Sequence, residues 1–338
     1  MLIHHPLRPT AGIAARIVAF GLTVVAGAIT PAASPGETPA EKQQAGGPSV
    51  LVKADSNSPS ETTGDETYLL RHKLNSNQKI RYEVTHVAKT KTRINGTEEI
   101  ANVHTTSVRS WDVREVQPTE MTFDHQIESV SMTQKNGDQD EVRWDSVSGE
   151  QPPKIFSVVA EQIGKPLATV TINQKGDEIR RESHAGSKAS LGMGALTLSL
   201  PAEPVSIGTK WTVPSEIQAR TDDGLVKVIK IRQVYTLKKV KTGVATIDVK
   251  SETLTPITEE SIKAQVVQQL SNGSIRFDID NGYLLGKELN WDETVVGFQG
   301  AGSMMEYRAR MTEELVANDT PTGGDTQSAK ADSDAKQR

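Results

Sequence analysis

Apolar and polar residues alternate through most of the chain between residues 67 and 315, and this pattern limits the folds it can adopt. Ile80, Tyr82 and Val84 alternate with charged or polar neighbours, and the stretch from Met305 to Met311 does the same near the other end. Successive side chains of a β-strand point to opposite faces, so this period of two predicts strands with one buried face. We therefore expect a mainly β protein built on an antiparallel sheet.

Turn residues separate these alternating runs at short intervals. Asn95-Gly96 and Asn136-Gly137 are typical of tight hairpin turns, because both residues tolerate the positive φ values that a type I′ turn requires. Lys241-Thr-Gly243 is a third turn signal, between runs ending at Leu237 and beginning at Ala245. The pattern predicts a meander of long strands, forming a strongly curved sheet or an open barrel.

Two short stretches have helical spacing instead. Phe156, Val159 and Ile163 follow a pair of prolines and precede Gly164, which is the usual punctuation of a helix. The second stretch, around residues 259–269, spaces its apolar residues by four, although a strand is also compatible with it. We expect one or two short helices that cover an end or a face of the sheet.

Each of these stretches is followed by a hairpin around a glycine, Gly176 in the first case and Gly282 in the second. A shift that superposes the two glycines also superposes the two helical stretches. The alternation in the two hairpins is out of phase by one residue. The pattern suggests a weak internal duplication, and hence two similar halves.

The two ends of the chain differ in composition from the region between them. Residues 1–28 contain Arg8 and Arg16, no acidic residue and a short apolar run, which predicts a secretory signal peptide; an uncleaved membrane anchor is the alternative. Residues 29–66 and 316–338 are poor in large apolar side chains, so we expect a disordered linker and a disordered tail. The predicted folded domain spans residues 67–315, in a protein exported to the bacterial periplasm or the extracellular space.

Charge and cysteine content exclude several classes of function. The chain has 38 Lys and Arg against 43 Asp and Glu, a net charge of −5, which gives no basic surface for nucleic acid. It has no cysteine. Disulfides, thiol nucleophiles and cysteine-based zinc sites are therefore ruled out.

Histidine is the commonest metal ligand, and five histidines lie in the predicted domain: His72, His86, His104, His125 and His184. If Asn95-Gly96 is a two-residue loop, His86 faces Thr105 and His104 faces Val87. The two imidazoles then point to opposite faces of the sheet. His125 is expected beside Asp112 on the next strand. The sequence therefore predicts no metal site.

Other patterns of catalytic residues also fail to appear. Asp278 and Asp280 precede Gly282 and fit a hairpin turn better than a pair of catalytic carboxylates. Ser303 lacks the flanking glycines of a nucleophile elbow, and Gly192-Met-Gly194 lacks the third glycine of a dinucleotide fingerprint. We predict no catalytic and no cofactor-binding residue. The tryptophans fall in alternating patterns and are expected in the core: Trp111, Trp144, Trp211 and Trp291.

Two segments carry a resemblance to a known group of proteins. One is Leu200–Trp211, with the pattern Pro-Val-x-x-Gly-x-x-Trp, and the other runs from Ile275 to Phe298. They resemble segments of secreted bacterial proteins of unknown function with a β-rich, lipoprotein-like domain. The resemblance implies the fold class and an exported location, and it assigns no site residue. From the residues themselves, Pro201 and Pro214 are expected to bound irregular segments.

The sequence leaves three functions open. The favoured one is a non-enzymatic binding or carrier module of the cell envelope, whose partner is an apolar small molecule held on the concave face of the sheet. The second is a structural or interaction protein with a fully packed sheet that binds an envelope protein. The third, least favoured, is a hydrolase. A continuous apolar cavity of several hundred Å³ would favour the carrier.

Overall fold

The computed structural model describes residues 66–184 and 196–316. The predicted signal peptide, the linker up to residue 65, Gly192–Gly194 and the tail from residue 317 lie outside these ranges. The strands are β1 Lys79–Ile94, β2 Thr97–Val116, β3 Glu120–Asn136, β4 Val142–Asp145, β5 Pro166–Asn173, β6 Glu178–Ser183, β7 Lys210–Arg220, β8 Val226–Lys241, β9 Val244–Thr253, β10 Asn272–Asp278, β11 Tyr283–Val296 and β12 Met304–Leu315. The helices are α1 Ser157–Ala160, which follows a 3-10 turn over Lys154–Phe156, and α2 Glu260–Val266, which continues as a 3-10 turn over Val267–Gln269.

All twelve strands belong to one antiparallel sheet that does not close on itself. Its order is β6-β5-β3-β2-β1-β12-β11-β10-β9-β8-β7, with β4 paired to β3. The predicted fold class, a mainly β protein with an open antiparallel sheet and two short helices, is confirmed. The strand reading of residues 259–269 is wrong, because most of them form α2 and the turn after it.

The buried apolar residues of the central strands lie on one face of the sheet. On β1, Ile80, Tyr82 and Val84 are buried, whereas Lys79 and Glu83 are exposed on the other face. The largest core cluster joins residues from opposite ends of the sheet, including Val170 of β5 and Leu237 of β8. The sheet is therefore curved, and its concave face holds the core.

Two non-strand segments close one end of this concave face, which we name the closed end. Residues 66–78 contribute Leu70 and Leu74, and residues 196–209 contribute Leu198 and Leu200, all four to the main core cluster. A backbone bridge between Tyr68 and Val205 joins the two segments.

The two halves of the sheet share an order of elements, apart from the short β4. In the first half, three long antiparallel strands and β4 precede α1 and the β5–β6 hairpin; in the second half, β7 to β9 precede α2 and the β10–β11 hairpin. β12 is additional, and it lies between β1 and β11. The descent of the two halves from a duplication stays a prediction.

Two local predictions are corrected by the structure. Pro214, expected to bound an irregular segment, lies inside β7. β7 is an edge strand, where a residue without a backbone N–H is tolerated. Trp211 and Trp291, expected in the core, are half-buried, whereas Trp111 and Trp144 are buried.

Candidate functional site

A cavity of about 220 Å³ lies on the concave face, away from the closed end. We name it the α2 cavity, because α2 covers one side of it. Its floor consists of two rows of side chains that cross paired strands. Asn136, Ala101, Thr90 and Tyr307 form the first row, and Glu99, Thr92 and Met305 form the second row.

The small side chains of the floor explain why space remains there. Ala101 and Thr90 are opposed across β2 and β1, and neither reaches far above the sheet. The neighbouring parts of the concave face carry larger side chains that pack against the helices, for example Met132 near α1 and Val295 near α2. The sequence therefore leaves a gap over β1 and β2 between two filled regions.

α2 is fixed over this gap by its apolar side. Ile262 and Val266 pack with Ile229 of β8, and Val267 packs with Met305 of β12. The helix is also tied to the strands by hydrogen bonds. The indole N–H of Trp291 donates to the backbone oxygen of Gln268 at 3.0 Å. The side chain of Gln265 accepts from the backbone N–H of Arg220 at 2.9 Å and donates to its oxygen at 2.7 Å.

The loop between β11 and β12 closes the remaining side with Phe298. Gly297 and Gly300 have φ values of 86° and 88°, a backbone region that favours glycine. The Ser303 hydroxyl donates to the Gly300 oxygen and accepts from the Gln299 N–H, both at 2.8 Å. Ser303 thus holds a turn in place, and Phe298 lies beside the cavity.

The lining of the α2 cavity combines apolar and polar side chains, and both kinds occur on its floor. The apolar contributors are Ala101, Ala264, Val267, Phe298, Met305 and Tyr307. The other contributors carry hydroxyl, amide or carboxylate groups: Thr90, Thr92, Glu99, Asn136, Asp222, Ser261, Gln265, Gln268 and Gln299. Such a cavity can hold an apolar group and hydrogen-bond a polar end.

A second, more open cleft of about 830 Å³ borders β5. Its polar centre lies on the side of the sheet opposite the core, because Asp124 pairs with Thr169 while the adjacent Phe123 and Val170 belong to the core. The Thr169 hydroxyl donates to Asp124 Oδ1 at 2.7 Å and lies 2.9 Å from Nε2 of His184. Arg114 forms an ion pair with Asp124.

This order of groups differs from that of a hydrolase triad. In a triad, histidine accepts the proton of the hydroxyl, and the acid orients the histidine. Here the hydroxyl of Thr169 lies between the two groups, and Asp124 is neutralised by Arg114. The arrangement gives no activated nucleophile.

The histidines are separated as the sequence predicts, with one change. His86 lies opposite Thr105, and His104 opposite Val87, as expected. His125 lies opposite Trp111 rather than beside Asp112, because β-bulges shift the register of β2 against β3. Among the described residues, no three His, Asp or Glu side chains are grouped closely enough to hold a metal ion.

A buried ion pair and two buried ionisable side chains lie on the concave face, and the sequence did not predict them. Lys287 and Glu313 form an ion pair of 2.5 Å in which both side chains are largely buried. Burial lowers the pKa of Arg109, and the charge of Glu313 opposes this effect. Burial also lowers the pKa of His125, on the neighbouring strand, to about 3.

Comparisons with known proteins show a match to a family model and a likeness to solved structures. No curated protein matches the chain. A solved structure titled "Lipid-protein interactions in lipovitellin" matches over 72% of this chain at 10% identity, with a TM-score of 0.38. The matched part is 26% of the lipovitellin chain, so this chain spans about a quarter of it, and a likeness of this score supports no argument about function. No helix among the residues with described coordinates is long and apolar enough to cross a membrane. Residues 189–284, which include both Leu200–Trp211 and Ile275–Leu284, match the model of a family described as "Family of unknown function (DUF6263)".

Proposed function

We propose that this protein is an exported binding module that holds a small apolar group in the α2 cavity. The observation that carries the proposal is a cavity on the concave face whose lining combines apolar side chains with hydroxyl, amide and carboxylate groups. A cavity that is apolar, largely pre-formed and supplied with a few polar groups is the usual form of a small-molecule site. Ala264, Phe298 and Tyr307 supply the apolar contacts from three different elements.

The size of the cavity sets the size of the ligand. An apolar cavity of about 150 Å³ binds benzene, whereas sites for drug-sized molecules begin near about 300 Å³. At about 220 Å³ the α2 cavity is smaller than the several hundred Å³ expected of a carrier. The proposed ligand is therefore one apolar ring or a short chain, with its polar end beside the polar lining residues.

The second candidate, a structural or interaction protein, is favoured by the closed end. There Tyr82, Trp111, Phe123 and Phe277 are almost fully buried in one cluster. This part of the concave face is packed like an ordinary protein interior. It supports the sheet, and it offers no room for a ligand.

Binding of a neutral molecule with one benzene ring tests the proposal. Isothermal titration calorimetry with 2-phenylethanol gives a dissociation constant. Ala101→Trp fills the floor of the cavity and should weaken binding at least about tenfold. Asn102→Trp is the matched control, because Asn102 is the next residue of β2 and is exposed on the other face. Equal binding by all three proteins, or none by the wild type, would contradict the proposal.

Export is tested separately by N-terminal sequencing of material outside the cytoplasm. A mature chain beginning between Ile29 and Ser34 supports cleavage of the segment 1–28. Retention of Met1 in exported protein would indicate an anchor, and absence of the protein from the envelope and the medium would contradict export.

A further inference from the structure

On β1, neutral side chains line the α2 cavity and basic side chains lie on the opposite face of the sheet. Thr90 and Thr92 line the cavity, whereas Lys89, Lys91 and Arg93 alternate with them. Successive side chains of a strand point to opposite faces, so the three basic residues belong to the convex face. Lys91 forms an ion pair there with Glu98 at 2.9 Å.

The two lining residues that carry a charge at pH 7 are both acidic. Glu99 lies opposite Thr92 on the floor, with its Cγ 3.6 Å from the position of a Cβ built on Gly137. Asp222 approaches from the turn between β7 and β8. No Lys, Arg or His is among the described lining residues, and the other polar contributors are neutral amides and hydroxyls.

A further carboxylate lies next to the lining residues. Glu293 of β11 lies opposite Tyr307, so it extends the first floor row. The nearest basic residue of α2 is Lys263, which pairs with Glu260 at 3.5 Å and also acts on Glu293. Lys263 is therefore engaged with carboxylates outside the lining.

We infer that the α2 cavity selects a cationic amphipathic molecule, with an apolar ring or short chain against the apolar lining residues and a protonated amine beside the carboxylates of Glu99 and Asp222. The inference rests on the proposed function and adds the chemical class of the ligand. An ammonium group near carboxylates recovers part of its lost hydration by charge attraction and hydrogen bonds. A carboxylate at the same place loses hydration and meets like charge, so anionic ligands are rejected.

Three small ligands that differ in the charge of the polar end test the inference. They are 2-phenylethylamine, 2-phenylethanol and phenylacetate, which share a benzene ring that fits the cavity. The dissociation constant of each is measured at pH 7 by isothermal titration calorimetry. That of the amine should be at least about tenfold lower than that of phenylacetate, with that of the alcohol between them. The ratio should fall as salt is added.

Variants locate the source of the preference. The double variant Glu99→Gln, Asp222→Asn should bring the amine and phenylacetate within about threefold and leave the alcohol unchanged. Glu98→Gln is the matched control, because Glu98 neighbours Glu99 and pairs with Lys91 on the other face. It should keep the wild-type ratio.

The possible outcomes separate the two proposals. If 2-phenylethanol does not bind, the proposed function fails. If it binds, and Ala101→Trp prevents this, but phenylacetate binds as tightly as the amine, only the charge preference is wrong. An equal loss of preference in Glu98→Gln would also overturn the inference, because the general surface charge would then explain the result.

Discussion

Nε2 of His72 lies 2.8 Å from the backbone oxygen of Leu198, and this hydrogen bond joins the two segments that cover the closed end. The turns of two hairpins also form hydrogen bonds with the first of these segments. The backbone N–H of His72 donates to the oxygen of Gln174 at 2.7 Å, and that of Lys73 donates to the oxygen of Gly282 at 3.1 Å. Residues 70–74 are therefore clamped between the β5–β6 and β10–β11 turns, which correspond in the two halves of the sheet.

Gly176, in the first of these turns, is expected to be sensitive to substitution. Its φ is 82°, and an added Cβ would lie 2.3 Å from the Leu198 oxygen and 2.7 Å from His72 Nε2. Gly176→Ala should cost about 1–2 kcal/mol for the left-handed backbone and about 1–3 kcal/mol more for overpacking. Gly149→Ala is the control, because its φ is 78° and nothing lies within 4 Å. Urea unfolding of both variants should show the larger loss for Gly176→Ala, and equal losses would contradict the clamp.

Stability should fall as the pH drops below about 6.5, the usual pKa of an exposed histidine. Burial lowers the pKa of His125 to about 3, assisted by the charges of Arg109 and Arg181, and burial also lowers the pKa of His72. Between these pH values the unfolded chain binds protons that the native chain excludes, so the free energy of unfolding decreases as the pH falls. His125 alone should contribute a loss of about 2 kcal/mol between pH 7 and pH 5.

Urea unfolding at pH 7 and pH 5 measures this loss. His125→Asn should reduce the difference between the two pH values, because the buried imidazole is gone. His104→Asn should leave it unchanged, since His104 is exposed. A pH difference that is the same in wild type and His125→Asn would show that His125 is not the source.

Trp211 should contribute less stability than Trp111. Trp111 is 3% exposed and stacks on Phe123 with ring centroids 4.6 Å apart, so Trp111→Ala should cost about 3–5 kcal/mol. Trp211 is half-buried, stacks on Tyr235 at 5.5 Å and donates its indole N–H to the Ser199 oxygen at 2.9 Å. We expect Trp211→Ala to cost about 2 kcal/mol. Thermal unfolding of both variants checks the order, and a larger cost at Trp211 would contradict it.

The buried ion pair should respond asymmetrically to mutation. Glu313→Gln leaves Lys287 without its 2.5 Å partner and removes the charge that opposes the burial of Arg109. Removing one partner of a buried pair costs about 3–5 kcal/mol. Lys287→Met leaves Glu313 interacting with Arg109, so we expect a smaller cost of about 1–2 kcal/mol. Chemical unfolding of each variant gives the comparison; a larger cost for Lys287→Met would contradict this account of the pair.

The sequence predicted strands well where alternation and turn chemistry agreed. Asn95 and Gly96 both have positive φ, and the resulting register places His86 opposite Thr105, as deduced. The register of β2 against β3 could not be deduced, because bulges such as the one between Val113 and Glu115 add residues without a distinctive signal. The alternation also could not show which strands form the edges of the sheet, so Pro214 was not assigned to an edge strand.

The α2 cavity was less predictable than the strands. Its lining runs from Thr90 to Tyr307, and β1 and β12 are paired although they are the first and last strands. Alternation placed Tyr307 on a buried face, but it could not indicate that Thr90 lies opposite it. The one available signal was the alternation of threonine with lysine and arginine in residues 89–93, which puts small neutral side chains on the concave face.

The most direct test of ligand binding in the α2 cavity is a methyl NMR titration with ¹³C-methyl-labelled methionine. Met305 lines the cavity, whereas Met121 is 3% exposed in the closed-end core. Added 2-phenylethanol should shift the Met305 methyl resonance by the ring current of the bound benzene ring and leave that of Met121 in place. Assignment by Met305→Leu identifies the resonance. Saturating shifts at Met305 alone are the predicted result, and unchanged Met305 at millimolar ligand, or shifts confined to Met121, would contradict a binding site beneath α2.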